Sequence, residues 1–343
     1  MQAHELTADP PKPATDQDPS ANRDCGIRVE YHPWSADAAW PDALAIVHFG
    51  AEPHGPGHGA LSVHVRLPVL HGQPQTEVWW ADGPVHRGTL GPVRYAHDRQ
   101  HLFGVVELDE REHGGIAGAT AVAYGALSDL QRQSAFPHLL RVWNYFDAIN
   151  EGAGDLERYR QFCVGRTRGV GDFATTFPAA TAIGHQKTTH QLQVFWLASR
   201  TPGIAVENPR QVSAYRYPRM HGPVSPTFAR AMIAPDRTLL ISGTASIVGH
   251  SSMHDDDPIA QLEETLRNLS ALHALTDTRG PVARALLKLY VRDASQAAAL
   301  AGHLAARLPA GLHTGEIICL AADICRRELL LEIEGLQLRS VRA

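Results

Sequence analysis

The chain has 343 residues, of which 44% are hydrophobic and 20% are charged, as is ordinary for a globular protein. This length exceeds that of a usual single domain, so two domains are expected. A formal net charge of −5 argues against nucleic acid as a partner, because binding to phosphates relies on clustered Lys and Arg.

The N-terminal segment is polar and rich in Pro and Asp, and we expect residues 1–25 to form a flexible tail. It lacks the apolar stretch of a secretory signal, and no part of the chain holds 18 consecutive apolar residues. The cysteines lack the CxxC spacing typical of zinc sites, and there are four of them: Cys25, Cys163, Cys319 and Cys325. These features predict a cytoplasmic protein with no membrane contact and no disulfide framework.

Hydrophobic patterning in the first half predicts a β-α-β arrangement, with strands at 101–108, 138–146 and 191–198 and a helix at 117–133. A second helix is predicted over 155–166. Its apolar face has helical spacing and comprises Leu156, Tyr159, Phe162 and Cys163.

Hydrophobic patterning in the second half predicts the order β-α-β-α-β-β. Asp257 and Pro258 are typical of a helix start, and the apolar stripe that follows comprises Ile259, Leu262, Leu266 and Leu269. Another helix, over 295–308, ends before Pro309. The predicted strands lie at 238–242, 286–292, 316–321 and 329–334. These proportions indicate an α+β fold with helices packed on one face of a mixed sheet.

Three segments of the second half resemble the YjgF/RidA fold in order and spacing: LISGTA at 240–245, QLEETLRNL at 261–269 and LEIEG at 331–335. Upstream segments resemble chorismatases, namely RVWNY at 141–145, ERYRQFCVGR at 157–166, VENP at 206–209 and GPVSPTFAR at 222–230. The resemblance implies two YjgF-like halves, which we place at 26–205 and 206–343, with the active site in the second half.

The resemblance to chorismatases implies removal of the enolpyruvyl group of chorismate as pyruvate. It assigns the initiating acid to Glu332, and Glu334 lies two residues on, on the same strand face. The neighbouring leucines could desolvate Glu332 and raise its pKa. Cys325 resembles the subtype that forms 3-hydroxybenzoate, as do Gly243 and Gln211. We expect Cys325 to assist that reaction as a nucleophile on the ring or by keeping water out. Arg residues at 326 and 327 would lower the pKa of its thiol unless the alternation of a strand turns them away.

Other products and classes stay open at this point. A hydrolytic chorismatase would release a dihydroxycyclohexadiene carboxylate, and a related lyase would form 4-hydroxybenzoate. A YjgF-like imine deaminase or metabolite-binding protein belongs to a different class, and its single-domain chains would leave the first-half segments unexplained.

Chorismate carries two carboxylates, for which Arg provides a bidentate partner. In the matched segments Arg160 and Arg166 are the predicted carboxylate ligands. Polar contacts to the substrate are assigned to Tyr145, Tyr217, Gln211 and Thr244.

No cofactor is expected, because the chain has no GxGxxG or P-loop motif and the reaction is redox-neutral. Two His pairs are weak metal candidates, His54 with His58 and His250 with His254, and we interpret both pairs as loop residues rather than ligands. The oligomeric state is left open between monomer and trimer.

Overall fold

The computed structural model describes residues 26–35, 37–50, 59–171, 176–186, 189–276, 282–307 and 316–339. The predicted tail at 1–25 and the His54 and His58 pair lie outside these residues.

The N-terminal part contributes a four-stranded sheet that hydrophobic patterning did not predict. Its strands pair in the order β1-β5-β2-β3, and β4 instead joins the edge of the C-terminal sheet beside β18. The strands of this part are β1 (Arg28–Pro33), β2 (Ala43–Phe49), β3 (Ser62–Val65), β4 (Val69–His71) and β5 (Gln75–Trp80).

The next part forms a six-stranded sheet in the order β10-β9-β11-β8-β7-β6, with two helices, α1 (Ile116–Gln133) and α2 (Arg158–Val170). The strands are β6 (His86–Leu90), β7 (Val93–His97), β8 (His101–Asp109), β9 (His138–Asp147), β10 (Ala179–His185) and β11 (Gln191–Ser199). The strands and the helix predicted between 101 and 198 are confirmed to within a residue or two at each end.

The C-terminal part forms a seven-stranded sheet in the order β12-β13-β14-β19-β17-β18-β4, with α3 (Pro258–Thr276) and α4 (Ala297–Arg307). The strands are β12 (Ile204–Val206), β13 (Ala231–Ile233), β14 (Leu239–Thr244), β17 (Val282–Val291), β18 (Ile317–Ala321) and β19 (Leu331–Arg339). A short hairpin comprises β15 (Ile247–Val248) and β16 (Ser251–Ser252). The cap predicted for α3 is confirmed, since the backbone N–H of Ala260 donates to Asp257 Oδ1 at 2.9 Å.

The two large sheets repeat one topology. The order β8-α1-β9-α2-β10-β11 recurs as β14-α3-β17-α4-β18-β19, and in each unit the strands flanking the second helix pair in parallel while the rest pair antiparallel. A right-handed crossover helix joins parallel neighbours in such units. The α+β prediction with two similar halves is therefore confirmed, whereas the division at residue 205 stays a prediction.

Two residues that were predicted to lie on the buried apolar faces of helices are exposed instead. Leu156 is 75% exposed, because it belongs to a short 3-10 turn and α2 begins only at Arg158. Ile259 lies in the first turn of α3 and is 39% exposed. Terminal turns project beyond the sheet that covers the middle of each helix, so their apolar side chains remain in contact with water.

The two halves meet where β10 packs beside β14. The backbone N–H of Ala180 in β10 donates to the Ser242 hydroxyl at 2.9 Å. Farther along, Gly184 exchanges two backbone hydrogen bonds with Asp323, which follows β18. This contact brings the loop between β18 and β19 against the first half of the chain.

Candidate active site

A cavity of about 280 Å³ lies at this junction between the two halves. Its walls come from β10, β14, α2, the 217–230 segment, the β18–β19 loop and β19. Its lining includes Gly243 and the polar or charged residues Tyr159, Arg160, Tyr217, His221, Arg230, Cys325, Arg326, Glu328 and Glu332. Concave sites that combine an apolar wall with a few convergent polar groups are typical of enzymes.

Glu332 projects into this cavity from β19 and is only 5% exposed. Burial and the nearby charge of Glu334 raise the pKa of Glu332 to about 8, and Arg141 and Arg230 oppose this shift only in part. At neutral pH the carboxyl is therefore protonated and can donate a proton, as predicted from the leucines that flank it.

Glu334 lies on the same strand two residues further on, but it has a different environment. It is fully buried, and it accepts hydrogen bonds from Arg141 Nη2 at 2.5 Å and Tyr290 OH at 3.0 Å, with Lys288 Nζ 3.2 Å away. Although burial favours its protonated form, Lys288 and Arg141 hold the pKa of Glu334 below its usual value. One strand thus carries a neutral carboxyl beside an ionised one, an arrangement that makes Glu332 the candidate proton donor of the pair.

Gly243 on β14 leaves the space that the Glu332 carboxyl occupies. A Cβ at this position would lie 2.0 Å from Glu332 Oε1. The backbone N–H of Gly243 is held by Thr181 Oγ1 at 2.9 Å, and Thr181 also accepts from Arg141. The absence of a side chain at Gly243 therefore allows the Glu332 carboxyl to occupy its position in the cavity.

We expect Gly243→Ala to lower kcat about 10- to 100-fold, because a displacement of a catalytic group by about 1 Å has effects of that size. The clash falls on the end of a flexible side chain, so the melting temperature should change little. Steady-state kinetics and thermal melting measure both effects. An unchanged kcat would show that the position of Glu332 is not limiting.

Cys325 lies in the β18–β19 loop, half-buried, and lines the same cavity as Glu332. Burial and the proximity of Glu332 raise the pKa of its thiol to about 12, and Arg326 opposes this only partly. The neighbouring arginines do not bring the pKa of the thiol below its usual value, because burial outweighs them and both are turned towards other acceptors. Arg326 donates to the carbonyl of His250 at 3.0 Å, and Arg327 donates to the carbonyl of Gly152 at 2.7 Å.

Arg160 and Arg230 are two of the four arginines that line the cavity, and they are candidate ligands for an anionic substrate. Arg160 lines the cavity from α2 and has one ion pair, to Glu157 at 3.3 Å. Arg230 is buried, donates to the Tyr217 hydroxyl at 2.7 Å, and has no acceptor for its Nε. Among the described lining residues four arginines stand against three glutamates, and the raised pKa of Glu332 leaves that one neutral. The cavity therefore favours anions.

Arg230 and His221 were not among the residues predicted for the site. Arg230 ends the matched segment 222–230, so only its place beside chorismatase-like residues could have singled it out. His221 packs 5.0 Å from the Tyr217 ring and lies 3.1 Å from His250, nitrogen to nitrogen. Burial and the cation of Arg326 lower the pKa of His221 to about 4, so it is neutral at pH 7.

Four predicted contact residues lie outside the lining of this cavity. The Tyr145 hydroxyl is buried against that of Tyr290 at 2.7 Å. Gln211 donates to the carbonyl of Ile247 at 3.1 Å, and Thr244 Oγ1 donates to the carbonyl of Ser242 at 2.9 Å. Arg166 stacks on Tyr124 and lines a different cavity. Of the predicted set, the structure brings together Glu332, Cys325, Gly243, Arg160 and Tyr217.

Among the described residues, no group of three or more His, Cys, Asp or Glu side chains is arranged to hold a metal ion. Of the two histidines near the start of α3, His250 contacts His221, and His254 contacts Glu264 at 3.4 Å. None of the helices in the described ranges is long and apolar enough to cross a membrane.

A protonated, buried carboxyl in a cation-lined cavity between two similar α+β halves defines an enzyme that acts on a small anionic substrate. Comparison with known proteins identifies the family. Residues 77–198 match the family model for the N-terminal part of FkbO/Hyg5-like chorismatases. The chain belongs to the chorismatase family, because it aligns with curated chorismatases over most of both chains.

Two curated relatives and one solved structure illustrate the similarity. A 3-hydroxybenzoate synthase of Streptomyces hygroscopicus is 31% identical, with 85% of this chain and 90% of the relative aligned. A chorismatase of the same organism is 36% identical, with 82% and 87% aligned. A chorismatase crystal structure superposes with a TM-score of 0.80 at 32% identity, covering 91% of this chain and 98% of the other.

Proposed function

We propose that this enzyme converts chorismate to 3-hydroxybenzoate and pyruvate. The observation that carries the proposal is Glu332, a buried carboxyl with a pKa of about 8 in a cavity rich in arginine. The similarity to a protein named 3-hydroxybenzoate synthase supports the same product.

Glu332 begins the reaction by protonating the terminal methylene carbon of the enolpyruvyl ether. The products of that step are an oxocarbenium ion and a Glu332 carboxylate, and their opposite charges attract in a site of low dielectric. Positive charge on the ether carbon weakens the bond from the ether oxygen to the ring. Cleavage of that bond releases pyruvate.

Arg160 and Arg230 are assigned the two carboxylates of chorismate. Both line the cavity, and the Nε of Arg230 lacks a partner in the protein. Tyr217 orients Arg230 through its hydroxyl. This assignment keeps Arg160 from the sequence-based prediction and replaces Arg166 by Arg230.

Formation of 3-hydroxybenzoate consumes no water, because every carbon, hydrogen and oxygen of chorismic acid appears in one 3-hydroxybenzoic acid and one pyruvic acid. In the proposed route the 4-hydroxyl oxygen bonds to ring carbon 3 as the ether bond there breaks, and the hydroxyl proton returns to the Glu332 carboxylate. Aromatisation follows when the bond from that oxygen to carbon 4 breaks and carbon 3 gives up its proton, which ends on the phenol oxygen. In this proposal Cys325, which lines the cavity, keeps water from the ring, and the raised pKa of its thiol favours this neutral role over that of a thiolate nucleophile.

We expect Cys325→Ala to open the cavity to water and to shift the product towards the dihydroxycyclohexadiene carboxylate. In water labelled with ¹⁸O, the wild-type product should contain almost no label and the variant product should contain label in the hydrolytic fraction. Cys319→Ala, a buried cysteine of β18, is the matched control. Label in the wild-type aromatic product would contradict the intramolecular route.

Activity should decline as pH rises through about 8, since the acid form of Glu332 is the active one and its pKa is about 8. The profile of kcat/KM against pH reports groups of the free enzyme and measures this alkaline limb. A profile that stays flat to pH 9.5 would mean that another group donates the proton.

Incubation of the purified protein with chorismate, followed by pyruvate assay and chromatography of the ring product, tests the proposed function directly. Release of pyruvate with 3-hydroxybenzoate supports it, whereas 4-hydroxybenzoate or the hydrolytic product corrects the product assignment. We also propose a cytoplasmic location, which the free thiols of Cys163 and Cys319 fit.

A further inference from the structure

A second cavity of about 240 Å³ lies beneath α1 and α2 in the first half of the chain. It shares no lining residue with the first cavity, although Thr227 borders one and Phe228 the other. Its walls come from α1, α2, β9 and the segment before β10. The lining residues that matter for binding are Tyr124, Leu127, Ser128, Leu139, Val142, Arg166, Val170 and Phe177.

Arg166 is the cation of this second cavity, and it is only 5% exposed. Its guanidinium carbon lies 5.0 Å from the centre of the Tyr124 ring, and its Nε has no hydrogen-bond acceptor. No carboxylate among the described residues forms an ion pair with it. A buried charge without a counter-charge is unfavourable, and a bound anion is one group that would supply the missing partner.

Ser128 adds a second unpartnered polar group to the same wall. It is fully buried on α1, and its hydroxyl has no hydrogen-bond partner. The remaining wall is largely apolar, with Leu127, Leu139, Val142 and Val170. One cation and one buried, unpartnered hydroxyl within largely apolar and aromatic walls are complementary to a ligand with a single carboxylate on a flat apolar body.

We propose that this cavity is a binding site for a small aromatic monocarboxylate, separate from the active site. The carboxylate pairs with the guanidinium of Arg166 and accepts from the Ser128 hydroxyl, and the ring packs between Tyr124 and the aliphatic side chains. Chorismate, with two carboxylates, suits the first cavity and its several arginines better. The site does not depend on the reaction proposed for the first cavity.

Calorimetric titration of the full chain with benzoate tests the site, with benzyl alcohol as the ligand that lacks the carboxylate. We expect benzoate to bind and benzyl alcohol not to bind. Arg166→Met should weaken benzoate binding about 10- to 100-fold, the range for loss of a charge-assisted pair. Arg168→Met, on the exposed face of the same helix, is the matched control and should bind as the wild type does.

Two further readouts separate this site from the alternatives. If Arg166 serves a ligand, Arg166→Met should leave the melting temperature of the ligand-free protein unchanged or higher, whereas a purely structural Arg166 would lower it. Benzoate binding should also survive Arg230→Met, which alters the first cavity. Loss of binding in Arg230→Met but not in Arg166→Met would overturn the proposal.

A titration with 3-hydroxybenzoate distinguishes the proposed reaction product from other aromatic carboxylates as the ligand of this site. Tighter binding than benzoate, abolished by Arg166→Met, would identify the proposed product as the ligand and the cavity as a feedback site. Equal affinities would support a site for aromatic carboxylates in general. A melting temperature that falls in Arg166→Met, with benzoate binding unchanged, would reject the site in either form.

Discussion

Glu332→Gln should lower kcat for pyruvate release about 10²- to 10⁴-fold, the usual contribution of a general acid. The amide has nearly the shape of the carboxylic acid but cannot give up a proton to carbon. A coupled assay for pyruvate, run at saturating chorismate near pH 7, measures the loss. The effect should appear in kcat rather than in KM, because the proton moves only in the reaction step.

Glu328→Gln is the matched control, since Glu328 lines the same cavity but is exposed and accepts from Ser252. Its activity should stay close to that of the wild type. Equal losses in the two variants would mean that the cavity needs negative charge and not a particular acid.

Glu332→Gln should remain folded, and its stability should depend less on pH than that of the wild type. Because the pKa of Glu332 rises from 4.5 to about 8 on folding, the neutral form is favoured in the folded state. The wild type therefore loses stability relative to Glu332→Gln as pH rises from about 5 to 8, by on the order of 4–5 kcal/mol. Urea unfolding at pH 5 and pH 9 measures this difference.

Unlike Glu332→Gln, which should remain folded, Glu334→Gln should destabilise the fold by about 3–5 kcal/mol, the usual effect of breaking a buried ion pair. Arg141 and Lys288 would keep their charges in the core without the Glu334 carboxylate, and both are almost fully buried. The free energy of unfolding, from denaturant titration at pH 7, measures the loss. The remaining partner of Lys288 is Glu77, at 2.6 Å.

Glu263→Gln serves as the control for ion pairs in general, since Glu263 pairs with His303 and Arg307 at the surface. Its loss of stability should be much smaller, because water screens exposed pairs. In Glu334→Gln the alkaline limb of the activity profile should also move to lower pH, since the charge of Glu334 helps to raise the pKa of Glu332. An unshifted limb would mean that burial alone sets this pKa.

Hydrophobic patterning predicted the central elements of both halves because these elements are long. The strands β8, β9 and β11 have nine or ten residues each and are buried along almost their whole length, so they stand out as long apolar and β-branched runs. The helices α1 and α3 carry apolar residues at helical spacing, and the bounds of these elements agree closely with the prediction. The N-terminal sheet was missed because its strands are short, from four residues in β3 to seven in β2, and β2 is buried along its whole length and so shows no alternation.

Family resemblance and chain position led to Glu332, Cys325, Gly243 and Arg160, which the fold brings to one cavity. The same reasoning placed Arg166 there as well. Arg160 and Arg166 are six residues apart, which is 600° around a helix, so their side chains point in different directions. Arg160 faces the first cavity, and Arg166 faces the space beneath the helices.

The sequence by itself determined the α+β class and the order of most elements and singled out the candidate acid, since these depend on local patterns and on residue types in matched segments. Only the tertiary structure decided which charges neighbour each other. Glu332 and Glu334 share a strand face, yet one is buried without a counter-charge in hydrogen-bonding contact and the other lies among Arg141 and Lys288. Their partners come from strands distant in sequence, so the pKa of each carboxyl is a property of the assembled sheets.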